Sequence, residues 1–299
     1  MSDSQKTIDP VTISQSISEW LENQLDKEAF RWIRSTVKQL KSGGEDWEFF
    51  SSFSAVPRHT GKAPLSLSEK EQQKAVQLRP GWTPSRWSVD QLGRTYIVLS
   101  IAERSKDEFL EKLEKAFISS DLGEAVALYQ SLPVLPYPDE LQARAAEGIR
   151  SNMTSVFNAV ALQNPYPADY FDDGAWNQVV LKALFVGSPL YQIQGIDRRA
   201  NKTLAHMLIE YAHERWSAGR PVSPELWRPV GPFIDKDSID DIKKVLTHPE
   251  EINREAAMLA LSQSTDDEAR KLLNNHQELL AKVQEKGITW EDIGKRFEN

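Results

Sequence analysis

His206, Glu210 and His213 are the residues whose spacing comes nearest to a catalytic set. They stand at i, i+4 and i+7, which at roughly 100° per residue places them within a wedge of about 60° on one helix face. Two imidazoles and a carboxylate so arranged could hold zinc or iron and leave coordination positions open to a substrate. The same helix carries Leu204, Ala205, Leu208, Tyr211, Ala212 and Trp216 on another side, and that apolar side is the one a core would take. The wedge therefore reads first as a solvated face without metal, because a complete site would need a further ligand from elsewhere. The remaining histidines, His59, His248 and His276, are isolated, and no phosphate loop, dinucleotide fingerprint, zincin motif or nucleophile elbow occurs. The chain has no cysteine, which removes disulfide frameworks, thiolate nucleophiles and iron–sulfur centres. No cofactor and no catalytic residue set is expected.

Polar residues on apolar helix faces carry more information. Asn177 falls among Trp176, Val180, Leu181 and Leu184. A buried amide there needs partners, since leaving one unpaired costs about 1–3 kcal/mol. The candidates are the preceding Asn164-Pro-Tyr-Pro167 turn and a bound ligand. Arg215 is expected near the centre of an apolar face, and Arg94 lies one turn from Asp90. Each reads as a paired core arginine ahead of a substrate clamp, because a buried cation must be neutralised. The aromatic residues Tyr166, Tyr170, Phe171, Trp176, Tyr191, Tyr211, Trp216 and Trp227 suit a helical core, and they also suit a pocket for a flat or polyhydroxylated molecule.

The elements that must position these residues are helices. Residues 12–41 show apolar positions spaced by three to five, and Gly43 and Gly44 stop the pattern. Ala55–Pro84 reads as a long connection with one short helix near Glu69–Gln77. Val89–Glu103 is apolar on nearly all sides, as a central buried helix would be, and Ser105–Glu108 opens another helix. Further helices are expected at 121–131, 138–150, 152–162, 174–186, 200–218 and 224–230, with prolines between them. From Lys236 the helices shorten, and Ile242–Leu261 resembles one HEAT-type pair. The expected fold is all-α, a multi-helix orthogonal or solenoid-like bundle with a HEAT-like C-terminal segment. Its divisions would be 1–79, 80–235 and 236–299. With 36 Lys and Arg against 44 Asp and Glu, the net charge of −8 disfavours general nucleic-acid binding. The opening residues lack a signal-peptide pattern, and no apolar run reaches the ~20 residues of a membrane span, so a cytoplasmic protein without membrane insertion is expected.

The blocks Asn164-Pro-Tyr-Pro-Ala-Asp-Tyr-Phe171, Trp176–Phe185, Ile196-Asp-Arg-Arg-Ala-Asn201 and Tyr211–Gly219-Arg220 resemble the EboA family. Glu124–Tyr129, Ala146–Asn152 and Val156-Phe157 also fit, and the resemblance spans roughly residues 80–235. It implies a non-catalytic accessory protein that binds or passes on a small-molecule precursor, or scaffolds the proteins that process it. It brings no catalytic residues. Asn152, Asn164, Tyr166, Asn177, His213 and Arg215 are the candidate ligand-binding residues. The expected partners are a metabolite, of cyclitol or prenyl origin, and proteins of the same pathway. The alternative is a metal-dependent enzyme acting on a cyclitol, sugar or prenylated intermediate through His206, Glu210 and His213.

Overall fold

The computed structural model describes residues 9–298. Among these there are eighteen α-helices and no strand, and the chain divides into two compact units, 1–170 and 171–299. No helix among the described residues is long and apolar enough to cross a membrane.

The first unit contains α1 (Pro10–Gln24), α2 (Lys27–Lys41), α3 (Asp46–Thr60), α4 (Glu69–Leu78), α5 (Val89–Leu99), α6 (Lys106–Ser119), α7 (Leu122–Ser131), α8 (Gln142–Arg150), α9 (Thr154–Ala161) and α10 (Tyr166–Tyr170). Its hub is α5, which packs against α1, α3 and α7 and buries Leu92, Ile97, Val98 and Leu99. A helix contacted on three sides must be apolar all round, which is the pattern its sequence shows. Asp90 and Arg94 are buried within it as an ion pair of 2.7 Å, and Arg94 also lies over the Phe53 ring.

The expected helix Val89–Glu103 stops at Leu99, with turns over 100–103, and two further boundaries that differ have a clear cause. The 12–41 stretch is two helices, because the Asp26 carboxylate accepts the Glu28 and Ala29 N–H groups and so starts a new helix. The connection assigned from Ala55 begins later, since α3 runs on through Pro57 to Thr60. That proline costs one backbone bond, but Phe49, Phe53 and Val56 are buried on the same helix, and tertiary packing outweighs the local preference.

The second unit contains α11 (Asp173–Val186), α12 (Lys202–Ser217), α13 (Trp227–Val230), α14 (Ile239–Leu246), α15 (Glu251–Gln263), α16 (Asp267–Asn274), α17 (Gln277–Glu285) and α18 (Trp290–Glu298). Here α15 is the hub, touching α13, α14, α16, α17 and α18. Its buried Ala256, Ala257 and Ala260 allow neighbouring helices to approach closely. The residues read as a helix pair at 242–261 form the adjacent, packed α14 and α15.

Candidate functional site

A wide concavity of the second unit is built on the C-terminal half of α11. Helix α11 buries Trp176, Val179, Val180 and Ala183, which turns Leu181, Leu184 and Phe185 toward its open flank. Gly187, in the left-handed conformation at φ 76°, ends the helix. Phe185 is 77% exposed, an unusual setting for a side chain of that size unless it lines a recess or an interface. From α12 come Tyr211, whose hydroxyl donates to the Leu184 carbonyl at 3.4 Å, and Arg215 one turn later. Leu184, Phe185, Gly187, Tyr211 and Arg215 line a cavity of about 670 Å³, with Pro221, Glu225 and Phe297 on its far side. Phe185, Tyr211 and Arg215 also line an adjoining recess of about 420 Å³ with Leu181, Lys182 and Arg220. The two recesses form one groove.

Its electrostatics are uneven. Arg215 is half-buried, and its Nε donates to the Pro221 carbonyl at 3.0 Å. Among the described residues neither Arg215 nor Arg220 has a carboxylate within 4 Å, so both guanidinium groups face the groove without an ion-pair partner. Glu225 sits beneath, 2% exposed, accepting the Leu190 and Tyr191 N–H groups at 3.1 and 2.5 Å. Burial pushes its carboxyl up to about 7, although both backbone donors and Arg228 pull the other way. Glu298 is held by the Tyr191 hydroxyl at 2.8 Å.

The last wall is α18, which supplies Phe297 and Glu298. Arg296 fastens it to the buried Glu255 of α15 at 2.7 Å. Gly294 permits its approach, because a Cβ there would overlap the Tyr191 ring and crowd the Glu225 carboxylate.

The six candidates read from the sequence are not brought to one place. Arg215 lines the groove, half-exposed where a paired core arginine was expected. Asn177 is buried, but its partner is neither the Asn-Pro-Tyr-Pro turn nor the groove. Asn201 Nδ2 donates to Asn177 Oδ1 at 2.9 Å, and Asn177 Nδ2 donates to Asn201 Oδ1 at 3.4 Å. The turn is held by Asn164 itself, which donates to the Tyr129 and Ala159 carbonyls and accepts the Tyr166 N–H. Tyr166 is fully buried and its hydroxyl donates to the Pro138 carbonyl at 2.5 Å. Asn152 is exposed, beside a first-unit cavity of about 450 Å³. Of its two arginines, Arg144 and Arg150, Arg144 is already engaged by Glu114 and Glu147 and lies over Phe117.

His206, Glu210 and His213 are all exposed. His213 Nε2 lies 2.8 Å from Asp241 on α14, and its Nδ1 is 3.8 Å from Glu210. Among the described residues no group of three or more His, Cys, Asp or Glu converges as a metal ion would require. Phe185, Tyr211, Glu225 and Phe297 were not singled out together by the sequence. The available signal was Phe185 at the end of an apolar run, just before the glycine that stops its helix.

Fold and groove define an all-helical protein with an open recess that joins aromatic surface to unpaired cations. The chain belongs to the metabolite traffic protein EboA family, whose model matches residues 13–231. The match takes in most of α1 and all of α2 to α4, ahead of the blocks that resemble the family, and ends before α14. No curated protein and no solved structure matches the chain significantly.

Proposed function

We propose that this chain is a metabolite-handling accessory protein, and that the second-unit groove holds the metabolite. The observation that carries the reading is the placing of Arg215 and Arg220, without carboxylate partners, beside the 77% exposed ring of Phe185. A cation left unneutralised in a partly desolvated wall is stabilised by an anionic or strongly polar ligand group, for which guanidinium is suited by its fork of donors. Phe185, Leu181, Leu184 and Phe297 offer an apolar body the contact area that water denies it. The ligand that fits both is an amphiphile, with an aromatic or prenyl body and an acidic or oxygen-rich head. Family membership supports a role in moving such a molecule, and the groove's openness suits reversible loading more than enclosed chemistry.

The test is depletion from solution. Purified protein is incubated with a small-molecule extract of the cells that make it, and the compounds withdrawn are identified by mass spectrometry. Withdrawal of an amphiphilic compound by the wild type and not by Arg215→Gln supports the groove. Equal withdrawal by both removes the groove from the account.

A further inference from the structure

Helix α2 carries a second feature, independent of the groove. Lys27, Arg31, Arg34, Lys38 and Lys41 follow at spacings of three and four, so they fall within a wedge of about 80° and form one stripe about 21 Å long. All five are exposed, and the helix is fixed in this orientation by Ala29, Ile33, Val37 and Leu40, which are buried on the other side. Among the described residues Lys41 alone of the five has a carboxylate within 4 Å, Glu103 at 3.5 Å. Glu28 stands at i−3 from Arg31 and forms no such pair.

An ordinary solvated face interleaves the two signs. Other surface helices here do so, with Lys115 on Glu111, Lys243 on Asp240 and Lys295 on Glu291. The helix dipole accounts for cations in the last turn, Lys38 and Lys41, but not for Arg31 and Arg34 in the middle. Like charges at these spacings repel and cost stability, so the stripe is maintained at the expense of α2 itself. Phe30 is half-buried at the edge of the stripe, and Trp47, 68% exposed, follows the loop in which the stripe ends.

We propose that α2 docks the protein on the surface of a membrane that contains anionic lipid. A straight line of cations matches a planar layer of headgroups, where each Lys or Arg adds to binding, and the exposed indole of Trp47, six residues beyond Lys41 in sequence, is of the type that partitions there. The chain as a whole is repelled by a dense polyanion because its net charge is −8. The sparser charge of a mixed bilayer is met locally, within a Debye length of the stripe. The helix lies on the surface and does not insert, since its apolar side is spent on the core of the first unit.

Co-sedimentation of the full chain with vesicles tests this. Vesicles of phosphatidylcholine alone are compared with vesicles containing about one-third phosphatidylglycerol, and heparin serves as a lipid-free polyanion. The wild type is expected on the anionic vesicles only, released as salt rises from about 0.1 to 0.5 M. Arg31→Gln, Arg34→Gln and Lys38→Gln together should weaken binding about 100-fold, at roughly fivefold per cation. A circular-dichroism melt of that variant no lower than the wild type's shows that the fold is intact. Trp47→Ala should weaken binding further without altering the salt response. Equal sedimentation with neutral and anionic vesicles overturns the proposal. So does wild-type affinity in the triple variant, or heparin binding as tight as vesicle binding.

Discussion

Asn177 and Asn201 face each other amide to amide, and Asn201 Oδ1 also accepts the Leu204 N–H at 2.8 Å, so one exchange ties the first half of α11 to the N-terminus of α12. Both helices wall the groove, and this contact fixes them at the end remote from it. Asn177→Ala should therefore cost about 1–3 kcal/mol of stability, because the Asn201 amide keeps only the Arg199 carbonyl at 3.2 Å as acceptor and loses the Asn177 one in a half-buried setting. Ligand affinity, measured at a temperature where the variant is fully folded, should be unchanged. Urea denaturation of the variant checks the first statement and a titration the second.

The Asp90–Arg94 pair in α5 should behave asymmetrically. Arg94→Leu leaves the Asp90 carboxylate buried with only the Ser88 hydroxyl as donor, and should cost about 3–5 kcal/mol. Replacing both residues by leucine removes the uncompensated charge and should recover a large part of that loss. Chemical denaturation of the two single variants and the double variant measures the difference directly.

These two residue pairs show what a sequence makes legible. Arg94 and Asp90 lie one turn apart on a helix that is apolar all round, so local spacing contains both the pair and its burial. Asn177 could be recognised as buried, but its partner lies 24 residues away in the N-cap of another helix, a tertiary choice that periodicity does not encode. The helical class was legible for the same local reason, and the family resemblance was carried by contiguous blocks. The groove was not, because Phe185, Arg215 and Phe297 meet only after folding, and Phe185 reads as one more apolar residue of α11. The stripe on α2 is present as plain i, i+3 and i+4 spacing, masked by the net negative charge of the whole chain.

Glu225 should make stability depend on pH. Burial raises its folded pKa to about 7 from the ordinary 4.5, so between these values the folded state holds a proton that the unfolded state has lost. Stability should thus fall as pH rises from about 4.5 to about 7 and stay level above, by at most about 3 kcal/mol from this group. Urea midpoints across that range should show the decline, and Glu225→Gln should flatten it.

Gly294 should be intolerant of a side chain. Gly294→Ala drives a methyl into the Tyr191 ring and toward Glu225, so α18 must move outward, at about 1–3 kcal/mol. Phe297 and Glu298 would leave the groove with it. The expected outcome is weaker ligand retention together with faster amide exchange in residues 290–298.

The claim that matters most is occupancy of the groove, and native mass spectrometry of the gently purified full chain addresses it most directly. Phe185 is largely exposed and Arg215 lacks an ion-pair partner, so Phe185→Ser with Arg215→Gln should change stability by less than about 1 kcal/mol. A small molecule is expected bound one per chain in the wild type and lost from that double variant at an unchanged unfolding midpoint. A bound molecule that the double variant retains in full would place the metabolite elsewhere, and a wild type that stays at its bare chain mass even after incubation with the cell extract would contradict the account.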